Sequence, residues 1–277
     1  MTVLSSEELR EALIMKRLQE HYDEALEYFP ADRIVGIFLQ GSQNYGLDYE
    51  GSDIDTKLII VPSLEDIVLN KQPVSTTHIR ANNEHIDFKD IRLYMETFRK
   101  QNLNFLEILF TPFKIINPMY ADEWERLIKD REGIARMNVH RAVKSMKGIA
   151  MEKYHAMEHR YPSKADIIDK YGYDGKQVSH LIRVDDYLER YIAGESYESC
   201  LRPTDSKRDR IMAYKLLDRI PLAEAQVEAI KVKDHVTQIA DAFCETCEDE
   251  EIASMRGLLE SVQTNIMKAA IRKELEE

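Results

Sequence analysis

The sequence predicts an α+β protein in which a small mixed sheet is followed by helices alone. Short apolar runs bounded by turn residues, at 33–40 and 53–61, are typical of buried strands. From about residue 119 onwards the pattern changes to helical spacing, with few β-branched runs and few glycines. We therefore predict two domains: an α/β domain at 1–117, which includes an N-terminal helix, and an all-helical domain at 118–277.

The N-terminal half supplies the predicted sheet. A helix at 5–29 opens with Ser5 or Ser6 as its cap and has acidic residues in its first turn. After the two strands, the pattern at 63–66 is a capping box and begins a short helix. Two further strand patterns flank Asn82-Asn83, and because asparagine tolerates positive φ this stretch predicts a hairpin.

The rest of the chain reads as helices. A helix at 91–110 is expected to break near 102–104. The helices predicted after it lie at 120–131, 133–160, 163–170, 174–193, 206–217 and 221–276, the last range holding more than one helix.

Charge and composition limit the classes of function. The chain of 277 residues has a net charge of −12, from 38 basic and 50 acidic residues. Proteins that coat nucleic acid by bulk electrostatics are usually basic, so this balance argues against that class while leaving room for a local basic cleft. No stretch approaches the roughly 18 apolar residues of a membrane span, and the N-terminus lacks a signal-peptide pattern. We expect a cytoplasmic protein with no membrane partner and take a monomer as the default.

A glycine–serine pair directly follows the first strand. Gly41 allows the backbone to approach a phosphate closely, and Ser42 adds a hydroxyl donor where a short helix begins. The pair by itself is weak evidence, because Gly-Ser is also common in ordinary turns.

Two aspartates follow on the second strand. Asp53 and Asp55 are two residues apart, so on a strand both carboxylates point to the same face. Neighbouring carboxylates repel unless a cation joins them, and Mg²⁺ prefers oxygen ligands. An exposed strand with two solvated acids is the alternative interpretation. Lys57 continues on this face, where it would meet a phosphate or the acids.

A third carboxylate, Asp87, lies between two apolar residues on a strand pattern. If its strand lies beside that of Asp53 and Asp55, three carboxylates converge and can hold two Mg²⁺ ions about 4 Å apart, with Mn²⁺ as a substitute. Asp90 competes for this role, but we predict it to be a helix cap.

In order and spacing, this combination resembles the nucleotidyltransferase superfamily of DNA polymerase β. The family pattern is a Gly-Ser, then an Asp-x-Asp strand, then a separate third acid, and it is far more specific than any one piece. The resemblance implies a palm-like domain, catalysis and metal binding by Asp53, Asp55 and Asp87, and a bound NTP (ATP or CTP) whose phosphates contact Gly41 and Ser42.

Residues 35–200 are more closely similar to the RNA-repair-associated branch of that superfamily. The similarity rests on Gly-Ser-x-x-Tyr-Gly at 41–46, on the basic residue two positions after the Asp-x-Asp, and on Asn-x-x-x-Leu-Glu at 102–107. Within the first of these motifs, Tyr45 is suited either to stack on a base or to pack beneath the loop. Gln43-Asn44 depart from the pattern of many relatives.

The same branch has a helical segment that carries Lys, His and Arg. Here it matches Lys176, His180 and Arg183, whose spacing of i, i+4 and i+7 places them on one helix face. This face has two interpretations. It either contacts the phosphates or base of the nucleotide, or it is a polar surface exposed to solvent.

The resemblance implies an enzyme that transfers a nucleoside monophosphate from an NTP to a hydroxyl and releases pyrophosphate. Its acceptor would be an RNA end, such as that of a tRNA. Two alternatives stay open: a protein hydroxyl, as in antitoxin-type relatives that adenylylate a partner, and a non-catalytic nucleotide-binding regulator.

Overall fold

The computed structural model describes residues 5–216 and 220–276. Its strands are β1 (Ile34–Gln40), β2 (Asp55–Ile60), β3 (Ser75–Ile79), β4 (His85–Asp90) and β5 (Lys114–Ile116). Its α-helices are α1 (Ser6–Ala25), α2 (Ser42–Tyr45), α3 (Leu64–Val68), α4 (Ile91–Arg99), α5 (Leu103–Leu106), α6 (Ala121–Lys129), α7 (Arg131–Ala135), α8 (Val139–Ala156), α9 (Ala165–Tyr171), α10 (Gly175–Ile192), α11 (Tyr197–Leu201), α12 (Asp205–Lys215), α13 (Leu222–Thr246) and α14 (Ala253–Glu276). Within the described ranges, no helix combines the length and apolar composition needed to cross a bilayer.

The five strands form one mixed sheet in the order β3-β4-β2-β1-β5. β2 and β4 run parallel, whereas the other neighbouring pairs are antiparallel. The prediction of an α+β fold with a small mixed sheet and a helical remainder is confirmed.

The described residues divide into two compact units. The first holds 5–99, 104–137 and 252–276, and the second holds 100–103 and 138–251 apart from 217–219. The first unit therefore runs past residue 117, where the sequence analysis sets its domain boundary, and it also includes the C-terminal helix α14. Residue 217, the predicted end of one helix, lies outside the described residues.

Several element boundaries follow the local signals in the sequence. Ser5 and Ser63 each form a capping box, at the start of α1 and of α3. In the predicted hairpin between β3 and β4, Asn83 has a φ of 65°. The break expected after α4 occurs at Gln101, whose φ is 54°.

Two features of the sheet unit differ from expectation. α1 ends at Ala25 rather than at residue 29, because the chain turns to present Phe29 to the sheet core. The short strand β5 was not predicted: its three residues pair with β1 but carry no alternation long enough to identify a strand.

One face of the sheet is covered by α1. Its Ala25 packs into a core with Ile37, Leu58 and Ile86, and Ile14 and Leu18 are almost completely buried. Burial of each such aliphatic side chain contributes roughly 1.5–3 kcal/mol. The opposite face carries Phe38, whose ring centre lies 4.6 Å from that of Trp124, and this face holds the polar residues of the candidate site.

A buried polar network joins α1 to the sheet. The ring of His21 lies 2.9 Å from Thr56 Oγ1 through Nδ1 and 2.9 Å from Glu84 Oε2 through Nε2. Arg17 and Arg80 also pair with Glu84. Burial opposes ionisation of Glu84, but the hydrogen bonds from Arg17 and His21 outweigh it and lower its pKa to about 2. Burial lowers the pKa of His21 from its ordinary 6.5.

We expect the free energy of unfolding to fall as the pH is lowered from about 7 to about 3. The contribution of neutral His21 is fully present above its ordinary pKa of 6.5 and is lost as the pH falls through its lower folded value. The contribution of ionised Glu84 is present above its ordinary pKa of 4.5 and is lost as the pH falls towards 2. Urea denaturation followed by circular dichroism at a series of pH values measures both steps.

The variant Glu84→Gln isolates the second step. At about pH 7 it should lose about 3 kcal/mol, because two arginines then lack their buried partner, and its stability should vary less with pH below about 5. Glu27→Gln, at an exposed position just after α1, is the matched control. A wild-type pH profile in Glu84→Gln would contradict the assignment.

Candidate functional site

The strand register brings the predicted acidic residues to one end of the sheet. β1 ends at Gln40, which pairs with Asp55 at the start of antiparallel β2. β4 starts at the same end as β2 because the two are parallel, and Asp87 pairs with Lys57. Asp55 and Asp87 therefore lie on the same sheet face, on neighbouring strands, next to the turn at Gly41.

Each strand carboxylate has polar partners. Asp55 Oδ1 accepts a hydrogen bond of 2.8 Å from the backbone N–H of His85. It also lies 3.2 Å from Nδ1 of the His85 imidazole. Asp87 Oδ1 accepts from Thr77 Oγ1 at 2.6 Å, and its Oδ2 accepts from Gln40 Nε2 at 3.3 Å. Since β2 lies between β1 and β4, the Gln40 side chain spans β2 to reach Asp87.

Sequence reasoning did not select Gln40, Thr77 or His85. The signal available in the sequence was the alternation of side chains between the two faces of a strand. On the paired strands, all three residues occupy positions on the same face as Asp55 and Asp87. That signal depends on knowing which strands are neighbours, which the sequence does not state.

The predicted metal ligands fit the chemistry of Mg²⁺ in part. The carboxylates of Asp55 and Asp87 and the amide of Gln40 offer hard oxygen donors on one face. Asp53 is exposed and lies before β2, which begins at Asp55 and not at the predicted residue 53, because β1 ends at Gln40, the partner of Asp55. Within residues 5–216 and 220–276, no three His, Cys, Asp or Glu side chains gather as a ready-made metal site. The three-carboxylate, two-ion arrangement stays a prediction.

A buried carboxylate holds the glycine–serine turn. Glu107, which is 2% exposed, accepts a hydrogen bond of 2.9 Å from the backbone N–H of Gly41 through Oε1 and another from the Tyr45 hydroxyl through Oε2. Gly41 has a φ of 90°, a conformation that an L side chain would strain. The Gly41 N–H is thus committed to Glu107 rather than presented to a phosphate.

The neighbouring residues of this turn divide between the interior and the surface. Tyr45 is buried, so it packs beneath the loop rather than standing ready to stack on a base. Ser42 is half-buried, and no hydrogen bond from its hydroxyl to another described residue is found. This hydroxyl is therefore a donor that a ligand could use.

Lys57 is buried rather than exposed to a ligand. Its side chain is 3% exposed, its ammonium donates to the backbone carbonyl of Asn104, and Nζ lies 4.1 Å from the centre of the Phe105 ring. Burial lowers the pKa of Lys57, and the charges of Glu107 and Asp87 oppose that effect. The sequence analysis expected Lys57 to meet either a phosphate or the acids, and this buried position favours the acids.

The three basic candidates of the helical segment belong to the second compact unit. α10 carries them and is capped by Asp174, whose side chain accepts from the Lys176 N–H at 2.9 Å. Lys176 is exposed, His180 is partly buried and Arg183 is 3% exposed. Burial and then the positive charges of Arg183 and Lys176 hold the pKa of His180 well below its usual value, so its neutral form is favoured.

We expect Tyr45 and Glu107 to be energetically coupled. Tyr45→Phe and Glu107→Gln should each destabilise the protein, but the double variant should lose about 1–2 kcal/mol less than the sum, because both changes remove the same charge-assisted hydrogen bond. Urea denaturation of the four proteins measures the coupling.

The pair Tyr161→Phe and Glu107→Gln provides the control cycle, since Tyr161 is an exposed residue of the second unit and makes no hydrogen bond to Glu107. Its effects should add. Additive effects in the Tyr45 cycle as well would show that the hydrogen bond to Glu107 does not hold the turn.

Among known proteins, similarity to this chain is found in solved structures. No protein-family model matches it, and no curated protein matches it. Among solved structures, it is similar to the crystal structure of a nucleotidyltransferase-like protein from Exiguobacterium sibiricum, with 12% sequence identity, a TM-score of 0.28, and coverage of 94% of this chain and 78% of that chain. A likeness this distant carries no argument about the chemistry of the site.

Proposed function

We propose that this protein is a divalent-cation-dependent nucleotidyltransferase. The observation that supports the proposal most is the parallel pairing of β2 and β4, which places Asp55 and Asp87 on one face of neighbouring strands, offset by two residues. The Gly41–Ser42 turn follows β1 at the same end of the sheet. A pair of neighbouring carboxylates beside an available hydroxyl donor suits a substrate that brings both Mg²⁺ and phosphate.

In this proposal the acids hold the cation and the turn holds the nucleotide. Asp55 and Asp87 are the first ligands, and Asp53, two residues upstream in an exposed segment, completes the set when the substrate binds. Bound Mg²⁺ would neutralise charge on the phosphates and increase the acidity of a bound hydroxyl. Ser42 donates to a phosphate oxygen, and Glu107 and Tyr45 keep the turn in place.

The reaction is a displacement at the α-phosphorus of an NTP. An acceptor hydroxyl oxygen forms the new P–O bond while the bond to the bridging oxygen breaks, and pyrophosphate leaves. The hydroxyl proton passes to Asp87. We further propose that Lys176 and Arg183 in the second unit bind phosphate groups, and that the acceptor is an RNA end with ATP or CTP as the donor.

Replacing either strand carboxylate should abolish transfer. We expect Asp55→Asn and Asp87→Asn to lower the rate of pyrophosphate release at least about a hundredfold, because each removes a cation ligand without changing side-chain volume. A coupled pyrophosphate assay with Mg²⁺ or Mn²⁺ and each of the four NTPs provides the measurement.

Glu50→Gln is the matched control, because Glu50 is an exposed acid in the turn just before Asp53. This variant should retain wild-type activity. If the wild type releases no pyrophosphate from any NTP with RNA, protein or small-molecule acceptors, the enzyme proposal fails and the non-catalytic nucleotide-binding regulator becomes the better account.

The acceptor can be identified by following the label. With NTPs labelled at the α-phosphate, incubation with tRNA and with cell lysate should label RNA in the presence of wild-type protein and not of Asp55→Asn. Labelled protein without labelled RNA would contradict the RNA acceptor while leaving nucleotidyl transfer in place.

A further inference from the structure

A cavity lies within the second compact unit, among helices α10, α12 and α13. Its volume is about 200 Å³, and its lining consists of Asp185, Lys207, Arg210, Lys231, Val232 and His235. None of these residues belongs to the carboxylate end of the sheet, which lies in the first unit.

Basic groups outnumber acids in the lining. Lys207, Arg210 and Lys231 carry three positive charges, His235 adds a titratable ring, and Asp185 is the one carboxylate among the lining residues. Arg210 also pairs with Glu228, which is outside the lining. For the exposed Lys231 side chain, no ion pair with another described residue is found. With Glu189 beside Lys207 and Glu228 beside Arg210, Lys231 is the lining cation that a negatively charged ligand would pair with.

Asp185 fixes two of these groups in place. It is 3% exposed, and its Oδ1 lies 2.6 Å from His235 Nδ1 while its Oδ2 accepts from Lys207 Nζ at 2.9 Å. Both carboxylate oxygens are thereby satisfied, so Asp185 has less tendency to repel an incoming anion. Two donors held in advance lose less conformational entropy when a ligand binds.

The charge of Lys207 is secured by its surroundings. Burial alone would lower the pKa of Lys207, but its hydrogen bond to Asp185 and the charges of Asp185 and Glu189 outweigh burial and raise the pKa. The ammonium therefore keeps its positive charge near neutral pH. Glu189 Oε2 lies 3.6 Å from Lys207 Nζ, at the margin of the same cluster.

The cavity has room for a phosphate group. Its volume of about 200 Å³ is several times the roughly 30 Å³ share of one water molecule, so a phosphate group and part of the molecule that carries it fit in it. Phosphate also matches the lining chemically, because its several oxygens accept charge-assisted hydrogen bonds from Lys and Arg together.

We propose that this cavity, which we call the α10–α12–α13 pocket, is a binding site for a phosphate group, either as free orthophosphate or at the end of a small phosphorylated molecule. In this site Arg210 and Lys231 bind the anion, and Lys207 and His235, both held by Asp185, contact it as well. The site is separate from the proposed nucleotidyl-transfer site and does not depend on that function.

Equilibrium dialysis of the full chain with radiolabelled orthophosphate, in chloride buffer of constant ionic strength, tests the proposal. Wild-type protein should bind, and Arg210→Gln with Lys231→Gln together should weaken binding about a hundredfold, since each lost charge-assisted hydrogen bond accounts for about tenfold. Lys231→Gln alone should weaken orthophosphate binding about tenfold. Because Lys231 is exposed, this change carries no risk to folding. Competition by unlabelled ribose 5-phosphate separates the two sources: stronger competition than by orthophosphate assigns a phosphorylated molecule.

Two controls make the outcome decisive. Lys164→Gln removes a positive charge elsewhere in the second unit and should leave binding unchanged. Asp55→Asn alters the proposed transfer site and should also leave it unchanged. Absence of orthophosphate binding by the wild type overturns the proposal, as does full binding by the Arg210/Lys231 double variant or an equal loss in Lys164→Gln. Loss of binding in Asp55→Asn instead would place the phosphate at the sheet.

Discussion

The candidate site depends on one interaction, the parallel pairing of β2 with β4. Its register sets Lys57 opposite Asp87. Asp55 and Asp87, near the beginnings of β2 and β4, therefore lie at the same end of the sheet. A shift of one residue would turn Asp87 to the opposite face, into the core beneath α1. The apolar residues Leu58, Ile86 and Phe88 prevent that shift, because the same slip would expose them.

The carboxylates of the site face have partners within the protein. Lys57 is buried close to Asp87 and Glu107, and Gln40 reaches across β2 to donate to Asp87. A cation that binds Asp55 and Asp87 would compete with the Gln40 amide for the same carboxylate. The Gln40 amide therefore helps to hold the Asp87 carboxylate in position.

Local signals in the sequence predicted much of the fold. The capping boxes at Ser5 and Ser63 and the turn at Asn83 use contacts within three residues, so the sequence alone is enough to specify them. The role of Glu107 could not be found this way, because its partners Gly41 and Tyr45 are more than 60 residues away. The domain boundary also differed, since α14 returns to the first unit from the far end of the chain.

The sequence by itself determined the α+β class, the positions of most elements and the residue types that any site would use. Periodicity and capping act over a few residues, and they are visible in one dimension. Only the tertiary structure decided which strands are neighbours and that Lys57 and Tyr45 are buried. It also decided that Glu107 accepts the hydrogen bond of the Gly41 N–H, and that α10, α12 and α13 line a basic cavity. Those facts depend on long-range packing, in which burial of apolar faces selects the register and the register then places each charge.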